Sequence, residues 1–305
     1  QGSVSQCCRA SGCLAEVLNG YARAGVWDED LFNCLSNKAK ALKAEEVPAS
    51  SIAGIVNAFS HASTRQGSNL KCRALLLHMS RIAKAKEPGA FTPRDIANII
   101  NAFARVEVWE EGLFRHMSAL VRATPPERLS LRDAARILHA FSLARSRTGS
   151  RFRDGSIFRH VAARVLMLLP ALEPRDTSAR DLAALAHAHT RAQIWDERLF
   201  RALSSAVRRL PPAQVNVKDI AELGSAFSLV HTRDGSRLRD GAFWRSMSTI
   251  ALGKSLDQLA REPRAVANIV NAFAKAQIWD EVLFRRMSRA ARMTEPGLLD
   301  MGAVA

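Results

Sequence analysis

The stretch "IINAFARVEVWEEGLFRHMS" at residues 99–118 recurs almost unchanged as "IVNAFAKAQIWDEVLFRRMS" at residues 269–288. In both, apolar residues follow helical spacing before and after a short break that contains a tryptophan. Each stretch therefore predicts two helices joined by a tight link. An internal repeat determines the architecture of a chain, so the number and spacing of the copies decide the fold.

Alignment of these two stretches gives seven copies, each with one column of mostly aromatic residues in either helix. The first-helix column is Tyr21, Phe59, Phe103, Phe141, His189, Phe227 and Phe273. The second-helix column is Phe32, Leu76, Phe114, Phe158, Phe200, Trp244 and Phe284. The two columns lie 11 residues apart in odd copies and 17 apart in even copies. Odd copies thus have short links with a tryptophan, and even copies have long links.

Helix starts are marked by capping residues. Thr92, followed by Pro93 and then Asp95, predicts a capping box, and the same spacing occurs at Ser130, Ser178 and Asn216. The second helices are predicted to begin after an acidic cap, which accepts unpaired backbone N–H groups. These caps are Asp28, Glu110, Asp154, Asp196, Asp240 and Asp280. Cys72 takes this place in the second copy, which predicts a weaker cap there.

The expected fold is all-α, an α-solenoid of about seven stacked helical hairpins with alternating short and long links within the hairpins. Stacking is required because one hairpin cannot bury its apolar stripe alone. We expect an N-terminal extension at residues 1–9, a single solenoid at 10–300 and a tail at 301–305. The predicted repeats are residues 10–47, 48–91, 92–129, 130–176, 177–215, 216–261 and 262–300.

The composition limits the function classes. A net charge of +15 and a pI near 10.6 favour a polyanionic partner, nucleic acid before an anionic membrane, although scattered solvated charge is the alternative. No apolar run is long enough for membrane insertion. The 5 cysteines form neither a disulfide framework nor a zinc pattern. No catalytic motif is present, so we expect no enzyme, no cofactor and no metal site.

One face of each first helix carries polar residues that suit single-stranded RNA, because repeat proteins can read a base with two or three side chains. The candidate base-reading residues are Asn57, Asn98, Asn101, Arg105, Arg136, His139, His187, Asn268, Asn271 and Lys275. The middle column of this face is polar in every copy. A ladder of polar ties between adjacent hairpins is the favoured interpretation of that column.

Basic residues of the second helices and long links are candidates for phosphate contacts. An arginine follows the second-helix aromatic residue in five copies, at Arg115, Arg159, Arg201, Arg245 and Arg285. The alternative is that these arginines form ion pairs with the acidic caps. The long links add Arg145, Arg147, Arg151, Arg153, Arg233, Arg237 and Arg239 around Gly-Ser pairs. Such a link suits a phosphate, or is simply the end of a helix.

The pattern "IANIINAFA", followed by the tryptophan, the acidic pair and "LF-x-x-MS", resembles the octotricopeptide and heptatricopeptide repeat proteins, most closely those of apicomplexan parasites. These families, often joined to a RAP domain, are α-solenoids that bind organellar RNA. The resemblance implies a mitochondrial location, with a plastid as the alternative. The chain departs from the family in its alternating long links and in showing no RAP domain.

The expected function is that of a non-catalytic RNA-binding protein of an organelle. The resemblance implies a ribosomal RNA segment as the ligand and ribosomal or other organellar proteins as partners, as in a mitochondrial ribosome. No DNA specificity is expected. One alternative is a solenoid scaffold that binds protein in an organellar complex. The other is a free organellar factor for RNA stability or processing.

Overall fold

The structure, a computed structural model, describes residues 2–65, 72–144, 154–232 and 235–294. Within these ranges there are 15 α-helices and no strand beyond one isolated bridge, His231 to Arg237. The first eight helices are α1 Gly2–Ala24, α2 Glu29–Ala41, α3 Ala49–Arg65, α4 Arg73–Lys84, α5 Pro93–Arg105, α6 Glu111–Ala123, α7 Leu131–Leu143 and α8 Gly155–Leu168. The others are α9 Ala179–Ala192, α10 Glu197–Arg209, α11 Val217–Phe227, α12 Gly241–Leu252, α13 Leu256–Ala260, α14 Pro263–Lys275 and α15 Glu281–Met293. The all-α prediction is confirmed.

The chain divides into two compact units, Gln1–Ile157 and Phe158–Ala305. In the first unit, α1 with α2, α3 with α4, and α5 with α6 are hairpins, followed by α7. In the second unit, α9 with α10, α11 with α12, and α14 with α15 are hairpins, preceded by α8. Neighbouring hairpins are in contact within each unit, as in an α-solenoid. Helix α1 begins at Gly2, inside the segment expected to be an extension.

First and second helices pack differently. The first helices of neighbouring hairpins contact one another extensively, α1 with α3, α3 with α5 and α5 with α7, and likewise α9 with α11 and α11 with α14. Second helices such as α10 and α12 meet over a much smaller area. Each unit therefore has a tightly packed row of first helices, the A row, and a looser row of second helices, the B row.

Aromatic residues connect the two rows in the core. The second-helix aromatic of one hairpin packs edge-on against the first-helix aromatic of the next, with ring centroids 5.4 Å apart for Phe32 and Phe59 and 5.5 Å apart for Phe114 and Phe141. Tyr21 is an exception to the predicted buried column, since it is 39% exposed. Tyr21 has no such ring partner among the described residues.

The short links of the odd hairpins share one backbone conformation. Each has a residue with positive φ, which ends the first helix: Gly25, Glu107, Gln193 and Gln277. The next N–H bonds back to the carbonyl of the first-column residue, as from Val108 to Phe103 at 3.0 Å. This is the Schellman arrangement, which satisfies a carbonyl left unpaired at the helix end. The tryptophan of the link follows two residues after the positive-φ position.

Most predicted caps are confirmed. Thr92 and Asn216 form complete capping boxes with residues three positions later. The prediction is wrong at Ser178, whose side chain caps nothing, because the Asp181 N–H donates to the Ser178 backbone carbonyl instead, at 3.1 Å. Cys72 makes no side-chain cap, as expected.

Candidate nucleic-acid interface

The acidic caps of the B row connect each second helix to the preceding hairpin. Glu110 accepts the Leu113 N–H at the start of its own helix, and also the Ser80 hydroxyl of the previous hairpin at 3.0 Å. Burial acts to raise the pKa of Glu110, but hydrogen bonds from Lys84, Ser80 and the Leu113 N–H outweigh it and hold the pKa below its ordinary value. The cap is therefore a structural carboxylate.

The same serine-to-cap bond recurs in other hairpins. Ser118 donates to Asp154 at 2.5 Å, and Ser248 donates to Asp280. Ser204 occupies the equivalent place in the fifth hairpin, but its buried hydroxyl has no hydrogen-bond partner within the described parts of the chain. The tie between hairpins thus recurs at three junctions, from Ser80, Ser118 and Ser248, while Ser204 does not form it and the fourth hairpin has Ala162 at the serine position.

The arginine ladder of the B row is ion-paired in the odd hairpins, but not to the caps. Arg115 pairs with Glu111 at 2.6 Å and Arg201 with Glu197 at 2.6 Å. Arg285 pairs in the same way with Glu281. Each partner is the first residue of the same helix, four positions earlier. The alternative interpretation of ion pairing thus holds for these three arginines with the acid that follows each cap. The cap carboxylates themselves accept backbone N–H groups, and in some hairpins a serine hydroxyl of the preceding hairpin.

The even hairpins lack this acid. Glycine occupies the first helical position there, Gly155 before Arg159 and Gly241 before Arg245. Both arginines are exposed, and neither has an ion pair among the residues that the structure describes. Two positions of the B row in the second unit therefore present uncompensated guanidinium groups.

Part of one long link is described. Between α11 and α12 the chain reverses, with the Leu238 N–H donating to the Val230 carbonyl at 2.9 Å and Gly235 at a φ of 83°. Arg237 and Arg239 are exposed on either side of the buried Leu238. The remaining candidates of the long links, Arg145, Arg147, Arg151, Arg153 and Arg233, lie outside the described residues.

On the A row, the middle polar column holds adjacent hairpins together at two places. The Asn101 amide donates to the Ala97 carbonyl at 2.7 Å and to the Arg136 carbonyl of the next hairpin at 2.9 Å. His187 likewise bonds to the backbone of Glu222. Burial and the charge of Arg191 lower the pKa of His187. Both contacts connect adjacent hairpins, as the interpretation of this column as a ladder of polar ties predicts.

The other base-reading candidates differ in exposure. Asn57 and Asn98 are half-buried, whereas His139, Asn268, Asn271 and Lys275 are exposed. Arg105 is exposed at the end of α5, where it donates to the Ser60 hydroxyl of α3 at 2.9 Å. Partial burial of Arg105, followed by the positive charge of Arg136, lowers its pKa. A role of these residues in reading bases stays a prediction.

Sequence reasoning missed a basic column at the second position of the first helices. It comprises Arg94, Arg132, Arg180, Lys218 and Arg264, all exposed. The signal was available, since each lies nine residues before the first-column aromatic. A cation there is disfavoured by the helix dipole, so helix formation does not explain the column.

Within the described ranges, no group of three or more His, Cys, Asp or Glu residues could hold a metal ion. None of the described helices has the length and apolar character needed to cross a membrane.

A comparison with protein families gives a match over residues 10–242, more than half of the chain, to RESC6, the RNA-editing substrate-binding complex 6 protein. The chain belongs to the RESC6 family. A comparison with curated proteins gives no match.

Proposed function

We propose that this RESC6-family chain is a non-catalytic RNA-binding α-solenoid that works within an organellar ribonucleoprotein assembly. The observation that carries the proposal is the pair Arg159 and Arg245, which are exposed and uncompensated at the same position of two even hairpins. Exposed guanidinium groups at repeat spacing suit a phosphate backbone, which bears one charge per nucleotide.

Two further features support this proposal. The exposed Arg237 and Arg239 belong to the link that leads into the helix of Arg245, so three cations lie on one hairpin. The name of the family refers to a complex that binds RNA-editing substrates, and a net charge of +15 suits an RNA partner.

More specific proposals concern the RNA and the organelle. The likeness to octotricopeptide and heptatricopeptide repeat proteins supports a mitochondrial location. It also supports a ribosomal RNA segment of a mitochondrial ribosome as the ligand. The family match supports a transcript that is edited or processed as the alternative RNA. Sequencing the RNA that crosslinks to the protein in cells would separate the two. Enrichment of ribosomal RNA supports the first, and enrichment of messenger transcripts supports the second.

The RNA-binding proposal itself is tested by titrating a labelled single-stranded RNA with the purified protein at increasing salt. We expect the logarithm of the binding constant to fall linearly with the logarithm of salt concentration, by about 0.7 per phosphate contact. An RNA affinity too weak to measure even at low salt would contradict the proposal.

A protein-binding scaffold is the second candidate, and the seventh hairpin favours it. Trp279 is 79% exposed, whereas Trp195 of the fifth hairpin is 37% exposed and packs on His231 of the next one. Val282 and Met293 are also exposed on this hairpin. Exposed apolar side chains of this size suit a protein partner. Replacing Trp279 with Ser should abolish a protein contact there and leave RNA affinity unchanged.

A further inference from the structure

Cations of the A row differ in whether a carboxylate lies beside them. In the second unit, two members of the basic column have one. Lys218 pairs with Glu262 at 3.1 Å. Arg180 lies near Asp219 and Glu222, where burial raises both carboxyl pKa values and the charge of Arg180 opposes that rise.

On the A row of the first unit, two exposed cations have no carboxylate paired with them. Arg105 of α5 and Arg136 of α7 form no ion pair with a described residue. After burial, the positive charge of Arg136 is the next cause that lowers the pKa of Arg105, so the two charges act on each other. Positive charge is therefore concentrated around Arg105 and Arg136.

Two contacts fix the geometry at that place. Asn101 ties α5 to the Arg136 carbonyl of α7, which sets the two helices in register. One turn further along α5, Arg105 is held by the Ser60 hydroxyl of α3. The Arg136 side chain has no hydrogen bond or ion pair to another described residue. Two guanidinium groups thus lie on adjacent helices with most of their N–H donors unused.

We propose that Arg105 and Arg136 form a phosphate clamp across α5 and α7 that holds the RNA backbone whatever the base. This proposal rests on the proposed RNA-binding function and assigns it a site in the first unit. Guanidinium groups bind phosphate oxygens through two parallel hydrogen bonds, and two of them can hold one phosphate or two successive phosphates.

The chemistry of Asn101 separates the clamp from base reading. An amide has two N–H donors, and both are engaged, with the Ala97 and Arg136 carbonyls. Only the amide oxygen remains to face a base. Asn101 is therefore a positioning residue that fixes the distance between the two helices, while the arginines on either side contact the ligand.

The clamp is tested with the full chain carrying Arg105→Gln and Arg136→Gln together, against the control Arg180→Gln with Lys218→Gln. Both pairs remove two positive charges, but those of the control are compensated. Affinity for single-stranded poly(U) and poly(A) is measured across a salt series. We expect the clamp variant to bind both homopolymers about tenfold more weakly. The slope of its logarithmic binding constant against the logarithm of salt concentration should become shallower by about 1.4. The control should change affinity less than about threefold.

The outcomes are distinguishable. Equal losses in the clamp variant and the control would overturn the clamp, as would a loss confined to one homopolymer, which indicates base reading. Absence of RNA binding in the unaltered protein would instead contradict the proposed function. If Arg105→Gln lowers the melting temperature through its lost bond to Ser60, Arg136→Gln alone gives the same test. The salt slope of that single variant should change by roughly half as much as that of the double variant, and an unchanged slope overturns the clamp.

Discussion

The third and fifth hairpins have nearly the same plan, yet they differ at two buried positions. Both have a Schellman-closed short link, an acidic cap and an ion-paired arginine on the second helix. In the core, Phe103 of the third hairpin is replaced by His189 in the fifth. At the contact with the next hairpin, Ser118 is bonded, whereas the hydroxyl of Ser204 has no partner within the described ranges.

This difference shows which parts of the repeat are required by the backbone and which can be lost. The link and the cap persist because each satisfies backbone groups that would otherwise be left unpaired. The aromatic ring and the serine bond add stability to an architecture that forms without them. The fifth hairpin therefore tolerates a polar ring between Phe158 and Phe200.

The largest expected effect concerns His189. Its ring is fully buried, its Nδ1 donates to the Leu185 carbonyl at 2.9 Å, and its Nε2 has no partner among the described residues. Burial lowers its pKa to about 4, against a partial opposing effect of the Leu185 hydrogen bond and the charge of Asp196. His189 therefore binds a proton near pH 6.5 in the unfolded chain but only near pH 4 in the folded chain.

The sign of the pH effect follows directly. Between these two pKa values the unfolded state holds more protons, so the folded protein loses stability as the pH falls. Replacing His189 with Phe should remove this loss, worth roughly 3 kcal/mol between neutral pH and pH 4. Urea unfolding at several pH values measures this effect, as the free energy of unfolding of the variant minus that of the unaltered protein. A difference in stability that does not grow towards acid pH would contradict the claim that His189 is buried in its neutral form.

The serine ties give a smaller effect with an internal control. Ser118→Ala removes a hydrogen bond to a carboxylate and should lower the free energy of unfolding by about 1–2 kcal/mol. Ser204→Ala removes a buried hydroxyl without a partner, so we expect a change near zero or a slight stabilisation. Chemical denaturation of both variants at neutral pH measures this. Equal destabilisation of the two would show that Ser204 is also tied to its neighbour.

The fold could be predicted from the sequence because the signals repeat. Seven copies of the same apolar spacing, with acidic residues four positions before the second aromatic column, identified nearly every helix and most of the caps. The capping box predicted at Ser178 is wrong, because the Asp181 N–H donates to the Ser178 backbone carbonyl and not to the serine side chain. Side-chain type alone does not determine which oxygen accepts the bond.

The site was less predictable, because the partner of a charged side chain depends on residues outside its own column. The arginine ladder appeared uniform in sequence, yet the residue four positions earlier is Glu111 or Glu197 in odd hairpins and Gly155 or Gly241 in even ones. Likewise, Asn101 belongs to a polar face, but only packing shows that its amide spans to the carbonyl of Arg136.

RNA binding by the arginines without an acid partner can be measured directly. Two double variants of the full chain are compared, Arg159→Gln with Arg245→Gln and the ion-paired Arg115→Gln with Arg201→Gln, each of which removes two positive charges. Binding of one labelled single-stranded RNA is followed across a salt series. We expect the salt slope to become shallower by about 1.4 in the even pair and to change far less in the odd pair, since a carboxylate is already paired with each of those guanidinium groups. Equal changes in the two pairs, or no change in the even pair, would contradict RNA binding by the unpaired arginines.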